Sequence, residues 1–166
     1  MNIRCLNKDF ILNKFEELGL SKPTLASLAE LGYTEPTEIQ EQTIALILAG
    51  QDVLASAQTG SGKTAAYALP IIEKIGQPSR AKRTRALVLV PTRELALQVK
   101  GQFDLLGKHS QLRCIALYGG TGYGPQIKGL HRGADIIVAT PGRLLDLVQQ
   151  NIANLSSVEF VVFDEA

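Results

Sequence analysis

The chain has 166 residues, of which 45% are apolar and 5% aromatic with no Trp, enough for one domain with a real core and an ordinary α/β composition. A net charge of +1 excludes a globally basic surface, so nucleic-acid binding would need a local patch and backbone donors. Cys5 and Cys114 lack metal-ligand or redox spacing, no apolar stretch is long enough to span a membrane, and the polar Asn7, Lys8 and Asp9 leave no signal-peptide apolar region. The expectation is a cytoplasmic protein with reduced thiols.

Residues 10–50 read as helical. Phe15, Leu18 and Leu20 precede Ser21, a helix cap, with Pro23 at an early helical position. Leu25, Leu28, Ala29 and Leu31 recur at helical spacing and Gly32 ends the run. Pro36 and Thr37 restart the chain, Ile39, Thr43, Ile44, Ile47 and Leu48 mark the next amphipathic helix, and Gly50 closes it.

After residue 50 the pattern becomes strand, loop, helix, repeated. Val53–Ala55, Ala86–Val90, Arg113–Leu117, Ile136–Ala139 and Phe160–Phe163 are short aliphatic runs suited to strands buried on both faces of a parallel sheet. Helices are predicted from near Gly62, Arg93, Pro125 and Gly142. The alternation argues a doubly wound α/β domain. The basic cluster Arg80, Lys82, Arg83, Arg85 sits in a polar connection and reads as a solvated loop.

The stretch Ala57-Gln58-Thr59-Gly60-Ser61-Gly62-Lys63-Thr64 follows the run Val53–Ala55 and opens a helix. Such a loop wraps a phosphate chain with backbone N–H groups and a helix N-terminus. Gly60 and Gly62 allow close backbone approach, Lys63 would neutralise the β- and γ-phosphates, and the Thr64 hydroxyl would ligate Mg²⁺. The usual pattern begins with Gly where this chain has Ala57. Further on, Val161-Val162-Phe163-Asp164-Glu165 is an apolar strand ending in two acids. Asp164 would hold Mg²⁺ through water, and Glu165 would orient and deprotonate the attacking water. In open α/β sheets the ligand crevice lies beyond the carboxyl ends of the strands, where Thr59–Thr64, Pro91–Glu94, Gly119–Gly120, Thr140–Arg143 and Asp164–Glu165 all fall. Gly120–Gly124 has the wrong spacing for a dinucleotide loop, and Tyr123 is open to two readings, a base-stacking ring or a plain loop aromatic. His109 and His131 have no partner at catalytic spacing and take no role.

These residues together resemble the DEAD-box ATP-dependent RNA helicases, especially the bacterial ones, over nearly the whole chain. Ala57–Thr64 is similar to that family's phosphate loop, with Ala first; Pro91–Ala96 reads PTRELA, Gly119-Gly120 with Gln126 downstream matches the GG element, and Thr140–Arg143 reads TPGR. Asp164-Glu165-Ala166 supplies the first three letters of the name motif, and Gly32–Gln40 looks like the Q motif with Phe15 as the upstream aromatic. The resemblance implies a RecA-like P-loop NTPase domain with ATP and Mg²⁺ as cofactors and RNA as partner, and no membrane. It implies that Gln40 pairs with the adenine edge, as an amide that both donates and accepts can, and that Phe15 stacks on the adenine face. Thr92, Arg93, Gly119, Gly120, Thr140 and Arg143 would line an RNA track that reads the sugar-phosphate backbone rather than sequence.

The domain organisation implied is a Q-motif helical region, 1–50, belonging to the same domain as a RecA-like core, 51–166. The sequence stops inside the name motif, and the family's second RecA-like domain is not in it. The expectation is therefore a mostly parallel sheet flanked by helices, incomplete at the C-terminus. That sheet would carry an unfilled slot between the Asp164 strand and the phosphate-loop strand, and its isolated ATPase activity would be minimal without an arginine finger. The alternative is a non-catalytic ATP- or RNA-binding fragment.

Overall fold

The computed structural model describes residues 14–58, 60–76 and 83–165. They form two compact units: one runs to Gly76 and takes in Leu105–Ser110, and the other holds the remainder.

The first unit is helical. After a helical turn at 14–17, α1 (Lys22–Glu30), α2 (Glu38–Leu48) and α3 (Lys63–Ile75) follow, with α2 packed along α3. Ser21 precedes α1 in an extended conformation, and a proline sits in the first turn, where its missing N–H is no loss. The Ser21 side chain does not cap its own helix. Instead the Glu73 carboxylate, on α3, accepts the Ser21 N–H at 3.0 Å, the Ser21 hydroxyl at 2.9 Å and the Thr24 hydroxyl. That places a negative charge at the α1 N-terminus, where the helix dipole favours it, and ties α1 to α3. Gly32, at φ +75°, closes α1, and the Tyr33 N–H returns to the Leu28 carbonyl at 3.0 Å. Thr37 starts α2, its N–H donating to Gln40 Oε1 at 3.0 Å as in a capping box.

Val53–Ala55 forms no strand, contrary to the sequence pattern. Residues 51–56 are all exposed, and Leu54 is fully so. A three-residue apolar run stays extended only when a neighbouring strand takes up its N–H and C=O groups, and this one pairs with none of the four strands described.

The second unit is built on a parallel sheet of β1 (Ala86–Leu89), β2 (Cys114–Leu117), β3 (Ile136–Ala139) and β4 (Phe160–Phe163), in the order β2-β3-β1-β4. Its helices are α4 (Arg93–Leu106), α5 (Gly124–Arg132) and α6 (Pro141–Gln149). Leu87, Leu117, Ile137 and Ala139 on the sheet form one core with Leu144 and Leu147 of α6, and Ile127 and Leu130 of α5 pack against it. Ala86, Val88, Ile136 and Val138, which point the other way, are buried as well. Among the described residues β4 is an edge strand paired only with β1, and its Val161 and Phe163 are exposed. A forked ion pair clips the start of β4 to the start of β1: Arg85 Nε reaches Glu159 Oε1 at 2.7 Å and Nη2 reaches Oε2 at 3.1 Å.

The register positions the candidate site. Leu89 is level with Ala139 and with Phe163, and Ala139 with Leu117. All four strands therefore end at one level, and the segments after them emerge along one edge of the sheet.

Candidate functional site

In the helical unit the glycine-rich loop runs into α3. Gly60 and Gly62 have φ +83° and +89°, the left-handed region that a side-chain-bearing residue rarely adopts. Gly62 is the N-cap of α3 and no side chain caps that helix. Gly62 itself offers no capping side chain, so a helix N-terminus of the kind that favours an anion opens directly from the loop. Ser61 Oγ is buried with no hydrogen-bond partner. Lys63 and Thr64 are half-buried in the first turn, as is Ala57 before the loop, while Gln58 is exposed and its carbonyl accepts the Ser61 N–H at 3.2 Å. Thr59 lies outside the described residues.

Gln40 is 1% exposed and reaches this loop directly. Its Oε1 accepts the Thr37 N–H at 3.0 Å and its Nε2 donates to the Gly62 carbonyl at 3.3 Å. An amide has two N–H groups and two oxygen lone pairs, so one of each is left over for a ligand. A Cβ on Gly62 would crowd Gln40 Nε2 and displace that amide, on a backbone whose φ of +89° already favours glycine. Phe15 is also 1% exposed and meets the Tyr33 ring edge-on, with centroids 6.4 Å apart. It is buried in the helical unit here.

Along the sheet edge of the second unit the register brings together Thr92, Arg93, Gly119, Gly120, Thr140, Asp164 and Glu165, with Arg143 one turn into α6. Thr92 Oγ1 accepts the Leu95 N–H at 3.2 Å, capping α4 and leaving its own hydroxyl hydrogen to donate. Arg93 is exposed, its guanidinium 5.0 Å from the centre of the Tyr118 ring. Gly119 and Gly120 are exposed, and a Cβ on either would meet open space. Thr140 is the N-cap of α6, and its side chain makes no capping bond.

Gln126 holds the glycine pair's loop from beneath. It is buried, its Oε1 accepts the Tyr118 N–H at 3.1 Å, and its Nε2 donates to the Tyr118 carbonyl and to Thr121 Oγ1, each at 3.1 Å. Arg143 is 8% exposed, its Nη2 donating to the Thr121 carbonyl at 2.9 Å. The Tyr123 ring covers it at 4.1 Å, and the Tyr123 hydroxyl donates to Asp146. That contact and the hydrogen bond from Gln150 hold the Asp146 carboxyl below the usual carboxylate range, and the same carboxylate pushes the Tyr123 phenol up. Tyr118 and Asp146 have no sequence signal of their own, because their partners come from other elements.

Asp164 is 9% exposed at the tip of β4, its N–H donating to the Leu89 carbonyl at 2.9 Å. Glu165 is exposed at φ +57°, a backbone conformation that costs a side-chain-bearing residue of order 1–3 kcal/mol and recurs at functional sites.

ATP and Mg²⁺ fit the residues present. The uncapped α3 N-terminus and the unpartnered Ser61 hydroxyl suit phosphate oxygens, and Thr64 and Asp164 are oxygen donors of the kind Mg²⁺ takes. No cluster of three or more His, Cys, Asp or Glu occurs among the described residues, so a bound Mg²⁺ would take most of its coordination from phosphates and water. None of the described helices is long and apolar enough to cross a membrane.

The model of the DEAD/DEAH box helicase family matches residues 37–166. The chain is 47% identical over 153 residues to the ATP-dependent RNA helicase DeaD of Mycobacterium tuberculosis, covering 92% of this chain and 27% of that protein. It is 46% identical over 169 residues to the ATP-dependent RNA helicase DBP2 of Encephalitozoon cuniculi, covering 100% of this chain and 34% of that protein. A solved structure of a hypothetical ATP-dependent RNA helicase from Sulfolobus tokodaii superposes with a TM-score of 0.80 at 42% identity, over 88% of this chain and 41% of that one. The chain thus spans 27% and 34% of these two curated relatives.

Proposed function

The chain belongs to the DEAD/DEAH box helicase family, and on that footing we propose that it binds ATP with Mg²⁺ and the backbone of RNA as part of an ATP-dependent RNA helicase. The phosphate loop carries the reading: a helix N-terminus opened by Gly62 in the left-handed region, beside a buried Ser61 hydroxyl with no partner among the described residues. A loop built only to turn the chain has no use for a buried hydroxyl without a partner.

Each residue has a role its chemistry allows. The backbone donors of Gly60–Thr64 cradle the phosphates, and Ala57, Gln58 and Thr59 complete that loop. Lys63 neutralises charge on the β- and γ-phosphates, and Thr64 and Asp164 hold Mg²⁺, Asp164 through water. Glu165 orients a water and takes its proton. Gln40 uses its remaining N–H and lone pair on the adenine edge, which selects adenine over guanine. When bound, ATP supplies the scissile phosphoanhydride and Mg²⁺ the charge that offsets it.

Thr92, Arg93, Gly119, Gly120, Thr140 and Arg143 form the RNA track. The exposed glycines let backbone N–H groups reach phosphates, the free hydroxyls reach 2′-oxygens, and Arg93 supplies charge. In the whole protein a second RecA-like domain completes both sites, and the protein works in the cytoplasm.

The test is calorimetric titration of ATP·Mg²⁺, wild type against Lys63→Ala, followed by duplex unwinding by the full-length protein. Saturable binding lost in Lys63→Ala supports the reading. Absence of ATP binding, or unwinding that proceeds without ATP, would sink it.

A further inference from the structure

Tyr123 falls outside every role above, yet three contacts converge on it. It is the N-cap residue of α5, and its carbonyl accepts the Ile127 N–H at 2.9 Å, so its backbone is fixed. Its hydroxyl donates to Asp146 on α6, whose other oxygen accepts from Gln150 at 2.6 Å. Its ring face lies 4.1 Å from the Arg143 guanidinium carbon.

Arg143 needs that ring. It is 8% exposed, yet among the described residues only Nη2 finds an acceptor, the Thr121 carbonyl, and Nη1 is buried without a partner. A guanidinium so enclosed must find compensation or swing out to water. The Tyr123 π face and the nearby Asp146 charge provide it. Thr121 directly follows the Gly119–Gly120 pair, and Gly120 is in the left-handed region at φ +76°. The pull of Arg143 on the Thr121 carbonyl therefore acts one residue from the glycines whose N–H groups would face RNA.

We propose that Tyr123 is a positioning residue of the RNA track: anchored to Asp146, its ring holds the Arg143 guanidinium on the Thr121 carbonyl and so fixes the Gly119–Gly120 loop against α6. This rests on reading that sheet edge as the RNA track. It also makes Arg143 a fastener of the loop rather than a phosphate ligand, since Nη2 is engaged and Nη1 is covered.

The experiment measures single-stranded RNA binding by the full chain across a salt series, for wild type, Tyr123→Leu, Tyr123→Phe, Asp146→Ala and Arg143→Ala. Amide hydrogen exchange of residues 118–122 is followed without RNA. Tyr123→Leu should weaken RNA binding by about 2- to 30-fold, the range of a cation–π contact. Tyr123→Phe and Asp146→Ala should lose less but fall measurably below wild type, and loop exchange should quicken in the same order. Arg143→Ala should weaken binding while keeping the wild-type salt dependence; a lost phosphate contact would instead reduce the log–log slope by about 0.7. The proposal is overturned by wild-type affinity in Tyr123→Leu, by wild-type affinity in both Tyr123→Phe and Asp146→Ala (a ring acting directly on a base), or by the reduced slope in Arg143→Ala. Failure of the wild type itself to bind RNA would overturn the track reading first, before any variant is compared.

Discussion

Gln40 and Gly62, 22 residues apart, are joined by a hydrogen bond from the amide Nε2 to the glycine carbonyl at 3.3 Å. The same Gln40 side chain accepts the Thr37 N–H that starts α2. One buried amide thus couples the start of one helix to the phosphate loop that opens the next, and adenine recognition through Gln40 would be felt at the loop without further parts.

Gly62→Ala should be the most damaging single methyl in the loop. Its Cβ would crowd Gln40 Nε2 and stand 3.2 Å from Thr37 Oγ1, on a backbone at φ +89°. The expected loss is about 1–3 kcal/mol of stability from backbone strain alone, with loss of ATP binding. Chemical denaturation and ATP titration check it. Adding Gln40→Ala removes the contact but not the φ penalty, so the pair should regain part of the stability and none of the ATP affinity. Full recovery of both would refute the strain component.

The Arg85–Glu159 fork should make the edge strand acid-sensitive. The Arg85 guanidinium holds the Glu159 carboxyl below the ordinary carboxylate range, through a direct hydrogen bond first and charge second. A carboxyl whose folded pKa is depressed contributes stability above its unfolded pKa and loses it as pH falls through the folded one. The stability gap between wild type and Glu159→Gln should therefore be present at neutral pH and close on acidification below the carboxylate range. Glu159's side chain is half exposed, so the gap should stay under about 1 kcal/mol and shrink in high salt. Paired melts of the two proteins from neutral to acid pH decide it, and a gap that widens on acidification contradicts the linkage.

Where a local pattern determines the outcome, the sequence was readable. β3 and β4 begin and end at the predicted residues, because uninterrupted β-branched and aliphatic runs bounded by polar residues have few alternatives. The level strand ends follow from parallel pairing, so the gathering of Thr92, Gly119, Thr140 and Asp164 at one edge was legible too. Val53–Ala55 shows the limit. Its pattern is that of a strand, but pairing is not a local property, and it stays unpaired with Leu54 in solvent. Phe15 shows another: nothing in the local pattern marks its edge-on contact with Tyr33, which lies beyond α1. The rings over Arg93 and Arg143 were equally hidden, since each joins residues from separate elements.

Gln126 should matter to RNA binding without touching RNA. Its three hydrogen bonds hold both backbone groups of Tyr118 and the Thr121 hydroxyl, on either side of the glycine pair. Gln126→Leu keeps the bulk but leaves those groups unsatisfied at a buried position, which costs about 1–3 kcal/mol. Stability and RNA affinity should both fall, while Gln126→Glu, which keeps the Tyr118 N–H as a donor to it, should fall less in RNA affinity when measured at mildly acidic pH, where a protonated carboxyl can donate to the Tyr118 carbonyl. Equal RNA affinity for wild type and Gln126→Leu would show that the loop holds its shape unaided.

Ser61→Ala separates a ligand-directed hydroxyl from a structural one, because the two give opposite signs. Ser61 Oγ is buried and unpartnered within the chain. A hydroxyl serving the fold would have a partner, and its removal would destabilise by about 1 kcal/mol. A hydroxyl kept for a phosphate is a cost until the ligand arrives, so its removal should leave the free protein unchanged or more stable by up to about 1–2 kcal/mol. The same substitution should then reduce the stabilisation gained from saturating ATP·Mg²⁺, since that gain scales with the logarithm of affinity. Thermal melts of both proteins with and without nucleotide give the two signs at once. A less stable free protein with an unchanged nucleotide shift would assign Ser61 to the fold instead.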